Sequence, residues 1–359
     1  MQTVVTFGEI MARLAPPAFT RLRQTRSYKV TYAGAEASVA SSISNFGGKS
    51  RYVTALPTHD IADATVDSLR AMGVDTNYIV RSEKGRLGIY FLETGANQRP
   101  SNVIYDREYS SISQTDCTHY DWDNIFKGAS WFHVSGITPA ISEQAAQASI
   151  LACQMAKAAG CTVSVDLNYR KKLWKWDNTV AQNQLAKEVM GDILSFTDVL
   201  IANEEDCENV LGIKAKNTNV NSGSLDTSKY PEVAQEVFKL FPNLNSIAIT
   251  LRESHSASHN SWGAMLAYKD ATFFAPIKNK KYVPYEIKSI VDRVGSGDSF
   301  AAALIYAMNY TDYQDPTDYI NFAVAASALK HSIKGDLNYS SKAEVEALMN
   351  GSSSGRVNR

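Results

Sequence analysis

Short β-branched runs alternate with longer amphipathic ones along most of this chain, and that alternation restricts the fold more than any other feature. Residues 4–7, 52–55, 131–134, 163–166, 199–202 and 247–251 read as buried strands. Helical spacing of apolar residues occupies 35–45, 62–72, 143–159, 233–241, 300–309 and 319–330. Strand, helix and strand in succession require crossovers, so the order predicts an α/β fold: a mostly parallel sheet with helices on both faces.

Two stretches break the pattern. Residues 10–32 and 85–105 carry strand-like residues, turn signals and arginines with little helical periodicity, and are expected to form a small β lid. The 359 residues are therefore read as a single domain, 1–359, one core plus an excursion. Residues 214–229, rich in Asn, Ser and Thr, read as a solvated insertion, and 350–359 as a disordered end by default or else a returning arm.

A formal net charge of −1, from 36 basic and 37 acidic residues, supplies no excess to attract nucleic acid or an anionic membrane. The first residues lack the basic and apolar regions of a signal, and no later apolar run has the length to span a bilayer. Cys117, Cys153, Cys161 and Cys207 form no C-x-x-C pair or metal-ligand spacing, so reduced thiols and a cytoplasmic location are expected.

The chemistry concentrates in Asp292-Arg293-Val294-Gly295-Ser296-Gly297-Asp298-Ser299-Phe300, which follows an expected strand at 287–291 and opens the helix running to Asn309. Glycines at 295 and 297 let the backbone turn tightly and approach a ligand. Free N–H groups at the helix start face an anion, which the helix dipole favours. A carboxylate at the mouth of that turn repels a phosphate unless it takes a proton or helps hold a metal, and both tasks belong to phosphoryl transfer. The alternative is that Asp298 caps a helix beginning at Ser299. The bare G-x-G-D pattern leaves the two readings level.

Other patterns carry less. Gly48-Lys49-Ser50 has the ending of a Walker A loop, but its first glycine would fall at Ile43. His255 and His259 sit among Ser and Asn in an expected loop, which reads as a solvated turn rather than a metal site. No G-x-G-x-x-G follows the first strand, which removes the main argument for a dinucleotide enzyme.

The pattern D-x-x-G-x-G-D-x-F-x-x-A-x-x-x-A, filled from Asp292 through Ala303 to Ala307, resembles the second signature of the PfkB family of ribokinase-like carbohydrate kinases. Gly8-Glu9, the run Tyr32-Ala33-Gly34-Ala35-Glu36-Ala37-Ser38-Val39-Ala40 and Phe46-Gly47-Gly48 resemble its first signature, with Ala33 and Ser38 in place of the usual Gly and Asn. Asn203-Glu204-Glu205-Asp206 falls where the family carries N-x-x-E, with Asp206 in place of Glu; read alone it is an Asn-capped helix start. The likeness covers nearly the whole chain. It implies a three-layer αβα core with a β-sheet lid, and ATP and Mg2+ as cofactors. Asp298 would act as general base, with Gly295, Ser296 and Gly297 forming the anion turn. Gly34, Ala35 and Ser38 would lie on the sugar side, and Asp292 would either contact the sugar there or support the turn. Asn203, Thr250, Gly295 and Gly297 would lie on the nucleotide side, with Asn203 and Asp206 reaching the magnesium through water.

Within the family, Tyr90, Tyr105-Asp106-Arg107 with Ser110-Ser111, and Asp166-Leu167-Asn168-Tyr169-Arg170 with Lys171, Leu173 and Trp174 resemble the 2-keto-3-deoxygluconate kinases. This likeness implies that Tyr90, Tyr105 and Arg107 reach a sugar acid from the lid, with Arg170 near the acid and Asn168 near the phosphates. Arginine's planar fork suits a carboxylate, so two arginines could clamp one; the bland alternative has Arg107 and Arg170 in surface ion pairs with neighbours such as Asp106 or Glu108. Arg252 stands where the family commonly has glycine, which leaves the nucleotide contacts of the following loop open. Rival readings are a fructokinase or ribokinase type, a non-catalytic sugar-binding regulatory protein and, more distantly, an NAD-dependent oxidoreductase. Lid strands with edges to cover suggest a homodimer.

Overall fold

The computed structural model describes residues 2–214 and 226–352. Its main sheet runs in the order Thr272–Ala275, His259–Ala267, Ser246–Ser256, Val199–Ala202, Thr162–Asp166, Trp131–Ser135, Val4–Phe7 and Ser50–Val53. From Ser246–Ser256 to Ser50–Val53 every neighbour is parallel. The hairpin Ser246–Ser256/His259–Ala267 and the strands Thr272–Ala275 and Tyr285–Ile287 add an antiparallel edge.

The two-residue period of a strand sends alternate side chains into two cores. Val5 and Phe7 pack with Phe132 and Val134 on one face, under the helices Glu143–Ala158, Gln182–Leu194 and Tyr230–Leu240. Val4 and Trp131 point the other way, into a core built by Ala35–Asn45, Ser296–Tyr310 and Pro316–Lys330. Helices therefore cover both faces, giving the three-layer αβα arrangement expected from the alternation.

The lid is a separate four-stranded sheet in the order Lys29–Ala33, Met11–Ala15, Gly88–Glu93, Asn102–Asp106. Its register places Thr31, Arg13, Tyr90 and Tyr105 in one row across the sheet, and Val30, Leu14, Phe91 and Ile104 in the next. Adjacent rows point to opposite faces. The first row looks into the crevice; on the other face Leu14 packs against the small core around Ala37 and Tyr52, while Val30 and Ile104 are exposed.

Three expectations change. The strand expected at 287–291 ends at Ile287, because Ile290 and Val291 donate instead to the carbonyls of Ser258 and His331. The polar loop expected after Leu251 is the end of a long hairpin, so His255 and His259 face each other across it. The helix expected from Phe300 begins at Ser296. Residues 215–225 of the expected insertion and 353–359 of the tail lie outside the described residues. All four cysteines are unpaired, and among the described residues no helix is long and apolar enough to cross a membrane.

Candidate active site

A cavity of about 340 Å3 lies between the lid and the C-terminal ends of the parallel strands, where open α/β sheets place ligands. Its core wall is the turn before Ser296–Tyr310. Gly295 is the N-cap, at φ 83° and with the carbonyl oxygen of Asp336 against it; a Cβ there would lie 2.0 Å from that oxygen, so both backbone and space demand glycine. Gly297 has nothing within 4 Å of the place a Cβ would take, so the first helical turn opens directly onto the cavity. Its N–H groups have no carbonyl one turn earlier to bond.

Asp298 is the third residue of that helix and its carboxyl makes no hydrogen bond among the described residues, so the capping alternative fails. Burial pushes its carboxyl up to about 7; the charges of Asp336 and Glu36 add to the rise, while Arg170 and Lys330 oppose it. Asp166, at its strand's end, is pushed up by burial and by the charges of Asp206 and Asp298. Asp206 and Glu204 are raised by burial. Four carboxyl groups thus crowd one wall; Glu204 is paired with Arg252 at 3.0 Å, and the other three leave a surplus that a cation would relieve.

The residues expected at a metal fit that charge without offering direct ligands. Asp206 accepts the N–H of Asn203 at 3.0 Å on one oxygen and that of Tyr169 at 3.1 Å on the other. Asn203 Oδ1 accepts the N–H groups of Glu205 (2.8 Å) and Asp206 (3.0 Å), the cap geometry of a helix start. Both side chains are held by backbone, so an ion would meet them through its waters, as Mg2+ readily does. Asn168 adopts φ 38°, a left-handed conformation that asparagine tolerates better than most residues. Arg170 makes no carboxylate ion pair among the described residues and lines the cavity.

The lid wall is different, because its charges are already paired. Arg107 is buried and donates through Nε (2.7 Å) and Nη2 to Glu9 Oε2, leaving Nη1 free among the described residues. Its surface pairing with Asp106 does not occur; Asp106 pairs with Arg86 at 2.6 Å. The Tyr90 hydroxyl donates to Asp336 Oδ2, and the Tyr90 and Tyr105 ring centroids lie 6.4 Å apart. Gly34, the N-cap of Ala35–Asn45, must be glycine because a Cβ would lie 1.9 Å from the carbonyl oxygen of Glu9.

The structure brings Gly34, Ala35, Tyr90, Tyr105, Arg107, Asn168, Arg170, Asn203, Asp206, Thr250, Gly295, Ser296, Gly297 and Asp298 to this one cavity. Ser38 and Asp292 are buried outside it. Asp292 turns away because Arg13 and the N–H groups of Val294 (3.1 Å) and Gly335 (3.0 Å) hold its carboxylate. Glu9, Asp336, Arg252 and Arg293 also line the cavity. Of these, only Arg252, Glu9 beside Gly8 and Arg293 within the glycine turn were flagged by any sequence pattern. Away from the cavity, ligand atoms of His255, His259 and Glu286 lie within 4.8 Å of one another, occupied by hydrogen bonds with each other and Ser261.

A lidded αβα sheet with a helix N-terminus opening on its crevice and a carboxylate in that first turn defines the ribokinase-like class. The model for "pfkB family carbohydrate kinase" matches residues 1–253. A solved 2-dehydro-3-deoxygluconokinase from Thermotoga maritima is 44% identical and superposes with a TM-score of 0.88, over 98% of this chain and 100% of that one. The 2-dehydro-3-deoxygalactonokinase of Haloferax volcanii is 30% identical over 98% of both chains. A putative ribokinase II from E. coli, solved with ATP and Mg2+, shares the fold at 18% identity and a TM-score of 0.76, over 98% of this chain and 99% of that one. The chain belongs to the PfkB family of carbohydrate kinases, enzymes that use ATP to phosphorylate sugars.

Proposed function

We propose that this kinase transfers the γ-phosphoryl group of ATP to the C6 hydroxyl of 2-keto-3-deoxygluconate, with Asp298 as general base. The observation that carries this reading is the Asp298 carboxyl, free of hydrogen bonds in the first turn of a helix whose N–H groups open onto the cavity. A base with a pKa near 7 is matched to taking a proton at neutral pH. As O6 attacks phosphorus in line, its proton passes to Asp298, the bond to the β-phosphate oxygen breaks and ADP leaves. The N–H groups of Gly295 to Asp298 stabilise charge on the transferring phosphoryl. Magnesium, when bound, would neutralise phosphate oxygens; the buried carboxylates of Asp166 and Asp206 favour its presence, with Asn203 beside them.

The acid group of the substrate is supported by Arg170, a cavity arginine with no carboxylate partner, and by the free Nη1 of Arg107. The name of the Thermotoga relative supports the gluco configuration, and that of the Haloferax relative brings the galacto epimer into consideration. Tyr90, Tyr105, Gly34 and Ala35 would line the sugar side. Asn168 and Thr250 would line the nucleotide side, with the base along the open rim. Asp292 supports the turn rather than touching the sugar. Ser38 is assigned no contact.

A homodimer belongs to this reading. Both lid edges pair on one side only, and Val30 (51% exposed) and Ile104 (49%) flank Leu14 and Phe91 in an apolar row on the outer face. Burying that row in a partner would protect it from water. A cytoplasmic location accords with four unpaired cysteines.

The test is an ADP-release assay with Mg-ATP. It compares 2-keto-3-deoxygluconate, its galacto epimer, gluconate, fructose and ribose, with Asp298→Asn as control. Turnover of a keto acid that collapses in the control supports the reading. Preference for fructose or ribose discards the acid while keeping the kinase.

A further inference from the structure

Arg13 leaves the hinge as the third residue of the first lid strand, Met11–Ala15, yet its side chain is only 3% exposed. It is not at the cavity surface; it lies behind it. Its Nη2 donates to Asp292 Oδ2 at 2.5 Å and its Nη1 to Asp336 Oδ1. Those two carboxylates flank the glycine turn. Asp292 holds the N–H of Val294 on one oxygen and that of Gly335 on the other. Asp336 presses its carbonyl oxygen against Gly295 and takes the Tyr90 hydroxyl, a second lid group, on its other carboxylate oxygen. Lys330 closes the cluster from below, donating to the carbonyl of Ile333 at 3.2 Å and lying 3.5 Å from that of Asp292.

We propose that Arg13 is a positioning residue for phosphoryl transfer, bracing Asp292 and Asp336 so that the turn Gly295–Asp298 keeps a fixed register with the lid. The inference rests on the kinase reading with Asp298 as base. Stability alone is a poor account of such a group: a buried ion cluster of this kind is often no more stabilising than apolar packing of the same volume. Geometry is what the fork supplies. One planar guanidinium reaches two carboxylates from two separate segments, each of which touches the turn, and no other lid cation among the described residues does so. A carboxylate base must meet its proton within hydrogen-bond reach, and displacement by about 1 Å can cost on the order of a hundredfold in rate.

The test compares Arg13→Met and Arg13→Lys with the unchanged enzyme, using the acceptor sugar that the substrate panel identifies. Turnover is normalised to the fraction of protein that binds an ATP analogue, and thermal midpoints are recorded alongside. The expected result is kcat lower by about a hundredfold in Arg13→Met, with analogue affinity changed by less than about threefold. Arg13→Lys keeps the charge but loses the fork and should remain at least about tenfold impaired. A merely structural role would lower the midpoint and the binding-competent fraction while leaving normalised kcat intact, and that result overturns the proposal. If Arg13→Met does not fold, Arg13→Lys decides alone. Failure of the kinase reading shows up separately, as an unchanged enzyme that phosphorylates none of the acceptors or an Asp298→Asn variant that turns over normally.

Discussion

The two walls of the crevice treat charge in opposite ways. On the core wall, among the described residues, the Asp298 side chain has no hydrogen-bond partner and Arg170 no carboxylate ion pair, burial raises Asp166 and Asp206 together, and Glu204 is paired with Arg252 at 3.0 Å. On the lid side, Arg107 is locked to Glu9 in the wall itself, and Arg13, behind it, is locked to Asp292 and Asp336. Unpaired charge in a cavity is costly unless a ligand or a proton completes it. On the proposed mechanism the core wall is the side that reacts, and the lid is a preformed surface whose ions mostly have partners.

The largest effect should come from the core wall. Asp298→Asn removes the proposed base and is expected to lower kcat by about a hundredfold to ten-thousandfold, measured by ADP release under saturating substrates. In the unchanged enzyme the base must be ionised to act. Burial sets its pKa at about 7, so kcat/KM should fall roughly tenfold per pH unit below that point. An acid limb near 4 would mean that Asp298 is not the titrating group.

Breaking a lid pair should look different. Arg107→Met strands the Glu9 carboxylate, whose second oxygen already lacks a partner, and is expected to cost about 3–5 kcal/mol of folding stability in denaturant titration. Adding Glu9→Gln should recover part of that loss, because the uncompensated charge goes with it. Arg170→Met breaks no carboxylate ion pair among the described residues, and the buried carboxyls it faces, Asp166, Asp206 and Asp298, can take up protons once its charge is gone. It should spare stability and raise KM for the keto acid by about tenfold to a hundredfold while leaving a neutral sugar nearly unaffected. Equal effects of Arg170→Met on acid and neutral acceptors would erase the distinction between the walls on which the substrate assignment depends.

These walls were unequally legible in the sequence. The core wall could be read because its parts are contiguous: Gly295, Gly297 and Asp298 share one turn, and Asn203 to Asp206 share another. The alternation of strands and helices placed both at the ends of parallel strands. Asp336 gave no such signal. It lies 38 positions beyond Asp298 with only Gly335 beside it, and its importance arises from Arg13 and Tyr90, 323 and 246 positions away. The pairing of Arg107 with Glu9 spans 98 residues and was likewise out of reach, so the surface alternatives drew on sequence neighbours. For Asp292 the sequence left substrate contact and support of the turn open; its carboxylate is held by backbone N–H groups and by a lid arginine that no local pattern could connect to it.

The smallest effect sharpens the contrast most, because it reverses sign. Folding raises the Asp298 carboxyl from an ordinary 3.8 to about 7, so the folded chain holds that proton more tightly than the unfolded one. The cost of ionising it in the folded state is absent below pH 3.8, grows between there and 7, and is complete above 7. Asp298→Asn removes the cost, and the variant should be stabilised more at pH 8 than at pH 5. Water in the half-open cavity reduces the gain, so a rise in Tm of about 2 °C at pH 8 is expected, shrinking as pH falls. A lid variant such as Arg107→Met can only lose stability over the same range. Should Asp298→Asn instead lower Tm at pH 8, the carboxylate would be an ordinary structural acid, and the assignment of chemistry to the core wall would fall with it.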